Sequence, residues 1–149
     1  MPGVLRAIYV ADTEGGLIRA IDSADVRTDH GIVGDRAAGK PDRQVTVFRR
    51  EDFLDAVRDA GLQATAQDGS TRRNLETQDL SAAELQGPIL RVGDVVLRVT
   101  DDCRGCGIMN ESVGPGAQQS LEGRAGVCCI VESGGDIRVG DPITCDQGH

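Results

Sequence analysis

Aromatic side chains are almost missing from this sequence. It has no tryptophan, one tyrosine and two phenylalanines in 149 residues, so its core must be assembled from Val, Leu, Ile and Ala. The same scarcity leaves no stacking platform for single-stranded nucleic acids. Positive charge is also short: 16 Lys and Arg face 24 Asp and Glu, a formal net charge of −8. A general nucleic-acid binder displays a net basic face, so that class is set aside. A pocket for one anion is not excluded, because a pocket samples nearby charges rather than the total. No apolar run approaches the roughly 20 residues that span a bilayer. The stretch Val4 to Ala11 is short, broken by Arg6 and without a cleavage-site pattern, so it reads as a strand. The expectation is a soluble cytoplasmic protein with neither a membrane nor a nucleic-acid partner.

What is plentiful is glycine, at 20 residues. Short apolar runs recur at 4–11, 17–21, 44–48, 88–92, 94–99, 127–132 and 137–144, most of them bounded by Gly, Asp, Asn or Pro. Many short strands with Gly-rich turns predict a mainly β fold, a barrel or sandwich rather than a βαβ sheet. Residues 51–60 predict a helix with Phe53, Leu54, Val57 and Ala60 on one face, Glu51 and Asp52 in its first turn and Gly61 as its stop. A shorter helix is predicted from Ser81, with Glu84 completing a capping box. The polar stretches 61–71 and 107–122 lack period and read as loops, where binding groups often sit. With no repeat or linker, residues 1–149 are expected to form one domain, a size that buries about 70% of its unfolded surface without disulfides or metal.

Five cysteines in a cytosolic chain do not suggest a disulfide framework. Cys128, Cys129 and Cys145 read as small buried hydrophobes in strands. Cys103 and Cys106 are different, since Cys103-Arg104-Gly105-Cys106 directly follows the apolar run at 95–100. A thiol just past a strand, in a Gly-containing turn, is placed to meet solvent. Arg104 there favours a thiolate, whereas Asp101 and Asp102 oppose it. The CxxC alone also fits a redox pair or half a zinc site, with His30, His149 and the other cysteines as further ligands at no recognised spacing.

Three basic segments accompany the thiol turn. In Arg72-Arg73-Asn74-Leu75, two adjacent arginines on a strand would point to opposite faces, one of them inward. An inward guanidinium is costly unless it meets an anion, and its planar fork suits phosphate or carboxylate. Gly34-Asp35-Arg36 and Gly39-Lys40-Pro41-Asp42-Arg43 bring three cations within eight residues beside flexible glycines. Gly123-Arg124-Ala125-Gly126 places a fourth basic turn before a strand. A ligand anionic at one end and thiophilic at the other would use all of them.

The segments GDR (34–36), RQVT (43–46), RRNL (72–75), LRVGD (90–94), CRGC (103–106), RAGVC (124–128) and IRVGDP (137–142), in this order, resemble the MOSC domain family, named for the C-terminal domain of molybdenum cofactor sulfurases. The resemblance runs from about residue 25 to 143. It implies a MOSC-type β-barrel with one or two short helices, of the stand-alone bacterial kind, binding the pterin-based molybdenum cofactor or handling its sulfur. By position, Cys106 is then the molybdenum ligand or sulfur carrier and Cys103 an accessory catalytic thiol. Arg73, Arg72, Asn74, Arg124, Arg43, Asp35 and Arg36 are the implied cofactor-binding residues. Two departures stand out: Arg36 and Ala37 follow Asp35 where many members carry a histidine, and Gly105 replaces a common proline. The implied activity is reduction of N-oxygenated compounds. The alternatives are sulfur transfer from a Cys106 persulfide for cofactor or metal–sulfur assembly, and a non-catalytic module for an anion or partner. The expected partners are a small-molecule cofactor or substrate and either a cysteine desulfurase or an electron-donor protein. Pyridoxal phosphate is not expected in this chain.

Overall fold

Alternation sorts each strand's residues between two faces, and those faces belong to two separate hydrophobic clusters. The computed structural model describes residues 3–103 and 108–146. Its strands are β1 (Gly3–Val10), β2 (Arg19–Ile21), β3 (Ser23–Arg27), β4 (Gly31–Ile32), β5 (Val45–Arg49), β6 (Leu75–Gln78), β7 (Ile89–Val92), β8 (Val95–Asp102), β9 (Val127–Ser133), β10 (Gly135–Arg138) and β11 (Pro142–Asp146). Its helices are α1 (Arg50–Asp59), α2 (Ala82–Leu85), α3 (Ile108–Ser112) and α4 (Ala117–Ser120).

Seven strands run in the order β11-β7-β8-β9-β5-β6-β1, and β1 closes back on β11 through Gly3 opposite Ile143 and Val4 opposite Pro142. The protein is therefore a mainly β closed barrel. Closure removes the free edges that a sheet of this length would otherwise expose. β2 extends from β1, and β10-β3-β4 make a small second sheet. The pairings around the barrel are antiparallel except β5 with β6, where Val47 faces Leu75 and Phe48 faces Glu76 in parallel. A parallel pair needs a crossover, and α1 with the following loop supplies it.

The barrel interior is aliphatic: Leu5, Ile8, Val47, Leu75, Leu97, Cys129 and Ile143 are among its fully buried members. A second cluster lies outside the barrel wall, beneath the helices, and includes Phe48, Phe53, Val57, Met109, Leu121, Cys103 and Cys128. Helix α1 faces it with Phe53, Ala56 and Val57, whereas Leu54, expected on that face, is 47% exposed. Positions 53, 56, 57 and 60 share a stripe at 3.6 residues per turn, and 54 falls at its edge.

Three elements depart from the expected segments. The run 137–144 is two strands, because Gly140 takes a left-handed φ of 102° and Asp141 Oδ2 accepts from the Arg138 amide at 2.9 Å, turning the chain between β10 and β11. Stretch 107–122, read as a loop, holds α3 and α4. The arginine pair is not on a strand: β6 begins at Leu75, and Arg72 has a φ of 63°. A tight turn, not strand alternation, sends the two side chains apart. The capping box forms as read, with Ser81 Oγ accepting from Glu84 N at 3.1 Å and Glu84 Oε1 from Ser81 N at 3.2 Å.

Two polar devices lock the outer wall. Glu76, 1% exposed, accepts from Arg6 at 3.2 Å, from Arg50 at 3.1 Å and from the Tyr9 hydroxyl at 3.3 Å. A buried carboxylate is tolerated only with such partners. Burial, followed by the negative charge of Glu76, pushes the Tyr9 phenol up to about 12. Asn74 accepts from Thr46 N at 3.0 Å and from Thr46 Oγ1 at 3.1 Å, and donates to Tyr9 O at 3.0 Å. It thereby ties β1, β5 and the turn before β6 together, and so fixes where Arg72 and Arg73 emerge.

Candidate functional site

The loop between β4 and β5 and the turn before β6 meet over the outer face of β5 to form a basic pocket of about 210 Å³. Arg36, Lys40 and Arg43 come from the loop, Arg72 and Arg73 from the turn, and Met109 of α3 supplies an apolar wall. Glu14 is the acidic residue lining it, and its carboxyl is held below the usual range by the hydrogen bond and charge of Lys40.

Asp35 shapes this pocket from behind. Its carboxylate is buried and accepts from the amides of Ala11 and Ala37, each at 3.1 Å. That bracket pins the Gly34-Asp35-Arg36 turn to the end of β1, and Gly34 provides the left-handed φ of 89° the turn requires. Arg36 then reaches across: its Nη2 donates to Arg72 O at 2.8 Å. Burial, together with the like charge of Arg72, lowers the Arg36 pKa below its ordinary value. Arg72 Nη1 donates to Gly16 O at 2.8 Å.

After these bonds, Arg36 Nη1 and Arg72 Nη2 remain buried with no hydrogen-bond acceptor. Asp35 is 3.6 Å from Arg36 Nη1, close enough for charge but not for a hydrogen bond. Buried donors are rarely left unmade in folded proteins, since each costs about 1–3 kcal/mol, and more when charged. The guanidiniums that carry these two nitrogens line the pocket, so an anion there would meet their positive charge.

Arg73 is 4% exposed and turns inward, where its Nε donates to Ala125 O at 3.1 Å. Arg43 stands exposed at the rim. Arg124 lies elsewhere: it donates to Ser120 O at 2.7 Å and to Asp59 at 2.7 Å, linking α4 to α1. Asn74 and Asp35 hold the architecture, as described. The structure thus gathers Arg36, Arg43, Arg72 and Arg73 and leaves Arg124 apart. Cys106, with Arg104 and Gly105, lies outside the described residues.

The sulfur chemistry that is described sits on the same wall. Cys128 on β9 pairs across from Thr46, a pocket residue, and Gly126 lets this part of the chain approach β5. A Cβ at Gly126, whose φ is 97°, would stand 2.3 Å from Val47 O. Cys103 follows β8, and its amide donates to Gly126 O at 2.8 Å. The two sulfurs come to 3.1 Å, both buried. The Cys103 hydrogen bond, opposed by burial and aided by Arg43 and Arg73, draws the Cys128 thiol down to about 7. Cys103 moves the opposite way, upward, through the same hydrogen bond and burial. Cys129, pointing into the barrel, is pushed up by desolvation.

Reading Cys128 as only a buried hydrophobe misses this pairing. The available signal is period-two alternation, which sends adjacent cysteines to opposite faces. Among the described residues no group of three or more His, Cys, Asp or Glu forms a metal cluster. Among them, too, no helix is long and apolar enough to cross a membrane.

Comparison with solved structures places the fold. YuaD from Bacillus subtilis matches with a TM-score of 0.74 at 17% identity, over 96% of this chain and 94% of that one. YiiM from Geobacillus stearothermophilus matches with a TM-score of 0.68 at 15% identity, over 96% and 74% of the two chains. YiiM from Escherichia coli gives 0.64 at 23% identity, over 94% and 69%. No curated protein sequence matches. The MOSC domain family model matches residues 34–144, a span that takes in the basic residues of the pocket, the thiol pair and most of the barrel. The chain belongs to the MOSC domain family, a family associated with binding of the molybdenum cofactor.

Proposed function

We propose that the chain, as a single cytoplasmic MOSC domain, binds the molybdenum cofactor in the basic pocket and reduces N-oxygenated compounds. The observation that carries this reading is the gathering of Arg36, Lys40, Arg43, Arg72 and Arg73 around one pocket, with one guanidinium nitrogen of Arg36 and one of Arg72 left without an acceptor. The cofactor's terminal phosphate is dianionic and rich in acceptors, so the donor set fits it. When bound, the cofactor supplies oxygen-atom-transfer chemistry.

The chain's own groups have simpler tasks. Arg36 and Arg72 donate to the phosphate, and Lys40 and Arg43 add long-range attraction at the mouth. Arg73 keeps positive charge next to the thiols, which favours ionised sulfur. Met109 closes one side against water. Cys106 is proposed as the molybdenum ligand, with Cys103 as its accessory. Reducing an N–O bond takes two electrons and two protons and releases water, so a separate electron-donor protein is required.

The test is reduction of an N-hydroxylated compound or amine N-oxide by cofactor-loaded protein with a chemical reductant. Turnover in the wild type and its loss in Cys106→Ala are expected. Loaded protein that binds but never turns over would leave a binding module as the function. A second reading, sulfur transfer, is favoured by the Cys103–Cys128 contact, which sets two thiols, one of them drawn down in pKa, at the start of the Cys103-Arg104-Gly105-Cys106 segment. Incubation with a cysteine desulfurase should then add one sulfur atom to Cys106, and labelling that survives Cys106→Ala counts against it.

A further inference from the structure

The Cys103–Cys128 contact is independent of any cofactor and has a chemistry of its own. The sulfurs lie 3.1 Å apart, about 1 Å more than a disulfide bond. Cys128 lies on β9 and Cys103 directly follows β8: Asp101 and Asp102 of β8 face Cys128 and Val127 of β9, and the Cys103 amide is bonded to Gly126 O. That backbone bond holds the Cys103 end of the pair against the chain entering β9. Arg73, itself buried, and Arg43 place positive charge near both sulfurs. Cys129 sits one residue away but is sealed in the barrel, and Cys145 stands apart on β11.

We propose that Cys103 and Cys128 form a peroxide-oxidisable dithiol site, with Cys128 as the attacking thiolate and Cys103 as the resolving thiol. Hydrogen peroxide, small enough for a nearly buried sulfur, is the oxidant class. Cys128 sulfur attacks one peroxide oxygen, an S–O bond forms and the O–O bond breaks, and the departing hydroxide takes a proton and leaves as water. Cys103 then loses its proton as its sulfur attacks the Cys128 sulfenic acid; the S–S bond forms, the S–O bond breaks and a second water leaves. In sum, two thiols and one peroxide give one disulfide and two waters, the sulfurs losing two electrons and the peroxide gaining them. The depressed Cys128 thiol supports the order of events, since the thiolate is the nucleophile. The bond would tie residue 103 to 128 across a separation of 25, fixing both ends of the segment that carries Met109 into the basic pocket.

The test uses the full chain, stripped of metal, treated with one equivalent of hydrogen peroxide near neutral pH and quenched with an alkylating agent. The expected result is a mass loss of two hydrogens, reversed by a dithiol reductant, with a non-reduced digest joining the Cys103 and Cys128 peptides. Cys106→Ser should give the same cross-link. Cys103→Ser should instead gain one oxygen at Cys128, trapped by a sulfenic-acid reagent. A cross-link between any other pair, or Cys128 recovered as a free alkylated thiol while another cysteine is oxidised, overturns the proposal. Wild-type mapping alone decides whether this pair forms the bond, and the Cys103→Ser variant decides which sulfur attacks.

Discussion

Cys128 and Cys129 are neighbours in the chain and opposites in chemistry. Cys129 points into the barrel among Val45, Val99 and Leu97, where desolvation raises its thiol and nothing can reach it. Cys128 points outward, beneath the helices, to a second sulfur and two guanidiniums. The same division holds for the whole molecule. The interior is aliphatic and non-directional, held by burial worth about 1.5–3 kcal/mol for each large side chain. The outer wall is held by directional groups: the Glu76 carboxylate, the Asn74 amide and the Asp35 bracket. A face assembled from specific polar partners can leave two donors unmade for a ligand, which an oily interior cannot.

The sharpest break in this contrast comes from Arg73. Truncating a buried, charged hydrogen-bonding partner costs about 2–5 kcal/mol. Arg73→Ala should therefore weaken cofactor retention by roughly 30-fold or more, measured by equilibrium dialysis against the released cofactor. Retention at the wild-type level would separate Arg73 from the site.

Next in size is Glu76→Gln, which leaves Arg6 and Arg50 without their buried counter-charge. A loss of about 3 kcal/mol in urea unfolding is expected, whereas a change under about 0.5 kcal/mol would mean the wall does not depend on charge. Smaller again is the cysteine pair itself. Cys129→Ser puts a hydroxyl among aliphatics and should cost about 1–3 kcal/mol. Cys128→Ser, which keeps polar neighbours, should cost less than about 1 kcal/mol. Equal costs would erase the distinction between the two faces.

A further effect is in pH. The Cys128 thiol is lowered from about 9 to about 7, so between those values the folded chain holds fewer protons there than the unfolded chain. Stability from this group is present above pH 9 and is lost as pH falls through 7. Cys103 and Cys129 are raised, so they oppose folding above pH 9, where the unfolded chain would ionise them. Urea midpoints should rise from pH 7 toward pH 9 and fall beyond it. In Cys128→Ser the rise should flatten, and an unchanged slope would remove Cys128 as its source.

The same two faces explain what was legible from sequence. Strands β1, β5, β7, β8 and β9 announce themselves because interior packing selects Val, Leu and Ile at every second position. Strand β6 is read a few residues early, around Arg72 and Arg73, because its polar Leu75-Glu76-Thr77-Gln78 run shows no apolar alternation and is fixed only when Arg6 and Arg50 are brought to Glu76. Strands β3 and β4 hide because they are short and belong to a minor sheet. The arginine-bearing segments could be read as anion ligands, but their grouping could not. Arg124 and Arg36 look alike in sequence, yet one is taken up by Asp59 and Ser120 and the other keeps a nitrogen unmade. The partner of Cys103 depends on the register of β8 against β9, which spacing along the chain does not encode.

On the proposed function, the outer wall, through its arginines and sulfur, holds a phosphorylated pterin with molybdenum. The most direct test of that function is to purify the chain from a cofactor-producing host supplied with molybdate and to quantify pterin phosphate and molybdenum per chain. Close to one of each is expected in the wild type and in Cys129→Ala, and a joint fall in Arg73→Ala and in the Arg36→Ala, Arg72→Ala double variant. Wild-type protein that carries neither, and takes up neither on reconstitution, would contradict it.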